Sequence, residues 1–336
     1  MLKAAIVGAS GYAGQQIAQI LLRHPEIELD ALYVSTNSKD AGRSLPEIFG
    51  AVEKRCRLPL QGLALEQAED AGKKVDLVFI ATDHKTAHDL APRFIAGGAA
   101  VFDLSGAYRV PEASFYEKYY GFAHEHQDLM HAAVYALCEW VDAEKLKQAK
   151  LISLPGCYPT ASELALIPLM RAGIIDPALR PVINAVSGVS GAGRKASLTN
   201  SFCEVSLNAY GLFTHRHQPE ISYYAGTEVI FNPHLGDFKR GILATITCKL
   251  AQGKTTADAK KALAEAYADK PLVRVKDGTV KLDDVVGLPC CDLSVCGDDA
   301  YIVISSAIDN LLKGAASQAV QAANLHYGFK EDLALW

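Results

Sequence analysis

Apolar and polar positions divide this chain into two styles of pattern. Up to about residue 150, short apolar runs alternate with stretches at helical spacing. Lys3-Ala4-Ala5-Ile6-Val7 has the near-continuous apolar character of a buried strand. Ala13, Ile17, Ile20 and Leu21 then recur on one helix face. Further strands are predicted over 28–34, 75–81 and 99–104, with a helix over 86–96. Strands alternating with helices predict a parallel, doubly wound sheet.

Beyond Cys157 the pattern changes. A helix-like run over 161–172 precedes longer strands rich in Val, Ile and Thr at 181–187, 241–250 and 300–307. Such strands suit a mixed or largely antiparallel sheet. An amphipathic helix is predicted over 255–268, and a helix rich in Ala, Leu and Gln over 311–325. No internal repeat or low-complexity linker interrupts the chain. The expected architecture is α/β: a Rossmann domain over 1–150, then an α+β domain with a mixed sheet over 151–308.

The first strand and helix are joined by Gly8-Ala9-Ser10-Gly11-Tyr12-Ala13-Gly14. Strand, glycine turn and helix together form the context of a dinucleotide fingerprint. The glycines allow a tight turn and close backbone approach, and the helix N-terminus attracts a pyrophosphate. The second strand runs into Ser35-Thr36-Asn37-Ser38-Lys39. An NAD site usually places a carboxylate there for the ribose hydroxyls. Hydroxyls, an amide and a lysine instead accept a 2′-phosphate, so NADP is the expected cofactor. Ligands of open α/β sheets lie beyond the carboxyl ends of the strands, which adds Ala81, Thr82 and Ser105 to the expected lining.

Composition narrows the classes. The chain has 336 residues, enough for two domains with substantial cores, and a net charge of −5 gives no footprint for nucleic acid. No apolar run has membrane-spanning length, and no secretory signal pattern opens the chain. Its eight cysteines form no disulfide framework. Cys290-Cys291 and Cys296 lack the second pair or nearby histidines of a zinc site. Reduced thiols, a cytoplasmic location and no metal are the expectation.

Three segments carry candidate chemistry. Leu154-Pro155-Gly156-Cys157-Tyr158-Pro159-Thr160 puts a cysteine at the mouth of a helix, with Pro159 suited to the first turn. Backbone N–H groups and the helix dipole favour a thiolate there. The competing reading is a small buried hydrophobe. His215-Arg216-His217-Gln218-Pro219-Glu220 is a dense polar cluster before a proline that can open a helix, and imidazoles trade protons near neutral pH. Which of His215 and His217 faces the thiol stays open. Ser187-Gly188-Val189-Ser190-Gly191-Ala192-Gly193-Arg194 follows a strand, and its glycines permit close approach of backbone to ligand. Arg109, shortly after a strand end, offers a fork for a carboxylate or phosphate, or an ordinary surface ion pair.

These segments, with Asp103-Leu104-Ser105-Gly106-Ala107-Tyr108-Arg109 and Asp309-Asn310-Leu311-Leu312-Lys313-Gly314-Ala315-Ala316, resemble the semialdehyde dehydrogenase family across essentially the whole chain. Within it they are most similar to the branch that acts on an acetylated glutamyl phosphate. The resemblance implies NADPH-dependent reduction of N-acetyl-5-glutamyl phosphate to N-acetyl-L-glutamate 5-semialdehyde in arginine biosynthesis. Phosphate is released and a thioacyl intermediate forms on Cys157. It further implies His217 as the proton-transfer residue, with Arg109 and Glu220 on the substrate. Residues 309–336 would return to the Rossmann domain, with Asn310 near the nicotinamide, while 151–308 would carry catalysis and oligomerisation into a dimer or tetramer. Where the branch often reads Tyr-Gly-Leu-Pro-Glu, this chain has Tyr135-Ala136-Leu137-Cys138-Glu139, which implies a changed turn with the Glu retained. The rival readings are an aspartate-semialdehyde dehydrogenase, with the same chemistry on a shorter substrate, and a noncatalytic NADP-binding regulatory protein.

Overall fold

Met1–Pro155 and Ala315–Trp336 form one unit, and Gly156–Gly314 a second, in the computed structural model. The model describes residues 1–52 and 56–336. The first unit is built on a seven-stranded parallel sheet in which β1 (Leu2–Val7) is the third strand in order. The other strands are β2 (Ile27–Ser35), β3 (Leu60–Leu63), β4 (Leu77–Ile80), β5 (Ala100–Asp103), β6 (Val134–Tyr135) and β7 (Leu151–Ser153). The order is β3-β2-β1-β4-β5-β7-β6. β1 pairs with β2 from Leu2↔Ile27 to Val7↔Tyr33, and with β4 from Ala4↔Leu77 to Val7↔Ile80. The connections reverse direction between β1 and β4, which is where such sheets open a crevice for a ligand.

β4 and β5 are fully buried, so their sequences read as unbroken apolar runs. α1 (Tyr12–Leu21) buries Ile17, Ile20 and Leu21 of the predicted stripe, and Ala18 with them, while Ala13 is only partly buried. α2 (His84–Ala96) starts earlier than predicted because Asp83 caps it, its carboxylate accepting from the Thr86 N–H at 3.0 Å. The C-terminal helix Ser317–His326 packs on α1. Asn324 there hydrogen-bonds His24 at 2.9 Å, and Gln321 donates to the buried Glu139 at 3.0 Å. Ala136 and Cys138 are buried in the same unit, where the cysteine sulfur lies 3.7 Å from the Gln318 carbonyl. The retained glutamate thus has a structural partner.

The second unit carries a seven-stranded mixed sheet. Its strands are β8 (Val182–Gly188), β9 (Asn208–Ala209), β10 (Ile230–Gly236), β11 (Ile242–Lys249), β12 (Val273–Val275), β13 (Cys291–Gly297) and β14 (Tyr301–Ile308). Their order is β12-β13-β14-β11-β8-β10-β9. β8 runs parallel to β10 and antiparallel to β11, and β11 antiparallel to β14. Along β11 burial alternates strictly, as for a strand with one packed face. α3 (Cys157–Arg171) packs against β11 and β14, and nearly every residue in it is buried. α4 (His217–Ala225) packs on α3, as does α5 (Thr256–Ala266). No described helix is long and apolar enough to cross a membrane.

Candidate active site

Each glycine of the first turn has a steric reason. Gly8 has φ +82°, and a Cβ on it would stand 2.3 Å from the Ala81 carbonyl oxygen. Gly14 lies so close to β1 that a Cβ would meet the Gly8 carbonyl oxygen at 2.5 Å. Gly11 caps α1 in an extended conformation without a side-chain hydrogen bond, and the first intrahelical bond runs from the Gln15 N–H to the Gly11 carbonyl. The amides of Tyr12, Ala13 and Gly14 thus head the helix ahead of that bond, an anion-binding arrangement. Ser35, Thr36, Asn37 and Lys39 are exposed at the end of β2 and Ser38 partly so. Asp30 is held by Lys3 at 3.0 Å, and Asp40 by Arg43 at 3.2 Å. This turn and loop fit a dinucleotide.

Ser105 and Arg109 serve the ends of β5 and β7. Asp103 is fully buried, accepts from the Ser105 N–H at 2.8 Å and from its hydroxyl at 3.0 Å, and is pushed up to about 6 by burial. Arg109 is buried as well: Nε donates to the Leu154 carbonyl at 2.8 Å and Nη2 to the Leu104 carbonyl at 3.0 Å. A surface ion pair is therefore not its state.

In the second unit, a cavity of about 370 Å³ is lined by Cys157, Ser187, Gly188, Gly191, His215 and His217, together with Tyr158, Tyr210, Arg216 and their neighbours. Cys157 is the first residue of α3, after the extended N-cap Gly156, and is partly exposed, so the helix-mouth position read from the sequence is observed. The helix begins four residues before the predicted run because Pro159 sits within its first turn. Glu220 of α4 is fully buried, and its Oε1 accepts from the Gly156 N–H at 2.9 Å. Gly314 presses on the same spot, where a Cβ would come within 2.9 Å of the Cys157 Cβ.

His217 is the first residue of α4, and its ring centre lies 4.8 Å from that of His215. The two imidazoles differ in role. The His217 N–H donates to His215 Nδ1 at 3.1 Å, so that nitrogen is an acceptor. Burial, aided by the Arg216 charge, lowers His215 to about 4. His215 is thus a neutral ring holding the start of α4. Asn310 is buried and ties the glycine loop to the sheet: its Nδ2 donates to the Ser190 hydroxyl at 3.0 Å, and its Oδ1 accepts from the Gly241 N–H at 2.7 Å. Asp309 beside it pairs with Arg240 at 2.6 Å.

Tyr158, Tyr210 and Arg216 line the cavity but escaped the sequence reading. Tyr158 and Arg216 adjoin residues already singled out, whereas nothing around Tyr210 signals its place. One further cluster brings His88, Asp89 and His126 ligand atoms within 4.8 Å of one another. His88 already accepts from the Glu125 N–H at 3.1 Å and bonds Asp89 at 2.7 Å, while Lys85 sits on Asp89 at 2.5 Å. Within this cluster His88 and Asp89 are thus bonded to protein groups. None of the eight cysteines is disulfide-bonded, and Cys290 and Cys291 are buried in the sheet region.

Comparison with known proteins agrees with this geometry. Residues 3–149 match the family model "semialdehyde dehydrogenase, NAD binding domain", and residues 157–310 match "semialdehyde dehydrogenase, dimerisation domain". The chain is 56% identical over 336 residues, the full length of both, to N-acetyl-gamma-glutamyl-phosphate reductase of Pectobacterium carotovorum subsp. carotovorum. It is 53% identical, again over both full lengths, to the protein of that name from Escherichia coli O157:H7. Its fold is similar to aspartate semialdehyde dehydrogenase II of Vibrio cholerae, with a TM-score of 0.72 at 15% identity over 98% of each chain. The NADP-complexed aspartate semialdehyde dehydrogenase of Candida albicans gives 0.70 at 16% identity, over 97% of this chain and 98% of that one.

Proposed function

Because the chain belongs to the semialdehyde dehydrogenase family, we propose that it reduces N-acetyl-5-glutamyl phosphate to N-acetyl-L-glutamate 5-semialdehyde, with NADPH as reductant and release of phosphate. The observation that carries this reading is one cavity lined by both Cys157, at the head of α3, and His217, at the head of α4. Cys157 Sγ attacks the acyl carbonyl carbon, and the carbon–oxygen bond to phosphate breaks with its electron pair leaving on phosphate. A thioester remains on the chain. When bound, the reduced nicotinamide supplies the hydride that converts the thioester carbon to a thiohemiacetal. His217 holds or moves the proton at that carbon's oxygen, so collapse frees the aldehyde and the thiol.

The first turn of α3 supports charge on the oxygen. Pro159 has no N–H, the Thr160 N–H is bonded to the Gly156 carbonyl, and the Gly156 N–H to Glu220. In this reading the Tyr158 amide, in the same first turn, would stabilise an oxyanion. His215, neutral and bonded through Nδ1, supports a positioning role. Glu220 acts in the same way on the turn before Cys157, and Arg109 by clamping the Leu104 and Leu154 carbonyls. In this reading both also remain the candidates to hold the substrate.

The amides of Tyr12, Ala13 and Gly14, with Gly8, Ser10 and Gly11, would hold the pyrophosphate. Ser35, Thr36, Asn37 and Ser38 would hold the 2′-phosphate, and Ala81, Thr82, Ser105, Ser187, Gly188, Gly191 and Asn310 the rest of the dinucleotide. A cytoplasmic homo-oligomer completes the reading, the family model naming the second half a dimerisation domain. The test is the reverse assay with N-acetylglutamate semialdehyde, phosphate and NADP, run beside aspartate semialdehyde. Turnover of the acetylated aldehyde is expected to dominate; preference for aspartate semialdehyde would refute the assignment.

A further inference from the structure

The Cys157 cavity carries charge of one sign. Among the described residues that line it, Arg216 is the one side chain with a permanent charge, and no aspartate or glutamate lines it. The Arg216 charge acts on both His215 and Tyr210, so the guanidinium stands beside both. The other polar groups of the wall do not balance it. Burial pushes the Tyr158 and Tyr210 hydroxyls up, so both stay neutral. Tyr210 donates to the Tyr158 hydroxyl at 3.4 Å, and Tyr158 to the His234 carbonyl at 2.9 Å. Glu220, three residues after His217, is fully buried outside this lining, with Oε1 on the Gly156 amide.

A wall charged in this way sorts amino acids by their α-nitrogen. A free α-ammonium would leave water for a site that holds a guanidinium and offers no carboxylate. An unpaired or like-charged neighbour of that kind weakens binding by orders of magnitude. Acylation turns the ammonium into a neutral amide with one donor and one acceptor. The α-carboxylate is present either way and matches the planar fork of Arg216. The wall also has complements for an amide. Asn208 Nδ2 donates to the Ala209 carbonyl at 3.2 Å, which leaves Oδ1 as an acceptor for an amide N–H. The Thr199 hydroxyl, without a protein partner among the described residues, is a donor for the amide carbonyl.

We propose that this cavity selects amino acids whose α-nitrogen is acylated, with Arg216 on the α-carboxylate and Asn208 and Thr199 on the amide. Thioester chemistry at Cys157 is indifferent to the α-nitrogen, so the selection lies in these side chains and not in the reaction. The proposal deepens the reductase reading and rests on its placing the reacting carbon at Cys157.

The experiment follows alkylation of Cys157 by iodoacetamide, located by peptide mass spectrometry, in the full chain with NADP present. L-Glutamine and N-acetyl-L-glutamine serve as protecting ligands. They differ only in the acetyl group and neither reacts with the thiol, so the readout is independent of turnover. N-acetylglutamine is expected to protect at a concentration about a hundredfold lower than glutamine. Asn208→Asp, at an exposed strand position, puts a carboxylate in the wall and should narrow that ratio about tenfold. Arg216→Gln, also at an exposed position, should weaken protection by N-acetylglutamine about tenfold and leave protection by its α-amide, which lacks the carboxylate, unchanged. Equal protection by glutamine and N-acetylglutamine, or none by either, overturns the selection and leaves the reductase reading standing. Protection by N-acetylglutamine with no turnover of N-acetylglutamate semialdehyde overturns that reading and upholds the selection. A wild-type ratio in Asn208→Asp overturns the contact with Asn208. Equal losses for N-acetylglutamine and its α-amide in Arg216→Gln overturn the carboxylate assignment.

Discussion

Two strand–turn–helix entrances use the same backbone physics for different ends. Gly11 caps α1 at φ −78°, ψ 166°, and Gly156 caps α3 at φ −65°, ψ 160°; neither has a side-chain cap. At the first, amides head the leading turn of the helix, and glycines keep Cβ atoms from its tightest points at Gly8 and Gly14. At the second, a buried carboxylate from α4 takes the Gly156 amide, a proline removes another, and a thiol occupies the first helical position. In the proposed reading one entrance binds and the other reacts. The difference lies in what stands at the cap, since the helix dipole is common to both.

The sharpest way to break this contrast is Cys157→Ser. Turnover should fall to background while the first unit still binds nicotinamide cofactor, read by fluorescence quenching; a variant retaining wild-type turnover would sink the reactive role of the second entrance. Next in size is His217→Asn, expected to lower the maximal rate about a hundred- to ten-thousandfold and to flatten its pH profile near neutrality. His215→Asn should act mainly on binding or stability, because that ring is a neutral acceptor for the His217 amide. The reverse pattern in steady-state kinetics would exchange the two roles.

Gly8→Ala probes the binding entrance. Its Cβ would meet the Ala81 carbonyl, so cofactor affinity in a titration should drop at least tenfold while Cys157 alkylation stays near the native rate. A smaller change is expected for Asn37→Asp: a carboxylate facing a 2′-phosphate should reduce the ratio of NADP to NAD efficiency several-fold, and an unchanged ratio would discard the loop as the discriminator. Separate from these effects on activity is a pH effect on stability. His215 and His124 are both held near 4, mainly by burial. The unfolded chain takes up these protons first, near pH 6.5, so stability falls from there down to about 4, by about 1.4 kcal/mol per pH unit for each ring, and is indifferent to them above 6.5. Melting temperatures across pH 4–8 check the sign.

The sequence was most legible where burial is two-sided. β1, β4 and β5 are continuous apolar runs, and their ends were placed within two residues. β10 was missed: Pro233 and His234 disguise a strand whose proline stands opposite Ala185 in a parallel pair, and prolines argue against central strands. β13 hid behind Asp292, buried beside Arg274 at 2.5 Å and Lys276 at 3.2 Å. In the cavity, Cys157 and His217 stood out because helix-start residues mark them. Tyr210 reaches the same cavity from an irregular segment with no periodicity to read. The backbone partners of Glu220 and Arg109 are long-range, and no local spacing encodes them.

The central claim, that Cys157 carries the acyl group, is tested most directly by peptide mass spectrometry. The protein would be quenched after mixing with N-acetyl-5-glutamyl phosphate in the absence of reduced nicotinamide. One N-acetylglutamyl group is expected on the peptide containing Cys157, absent from Cys157→Ser and discharged on addition of NADPH. Acylation of another residue, or full turnover with no acylated Cys157 detectable under these conditions, would contradict the account.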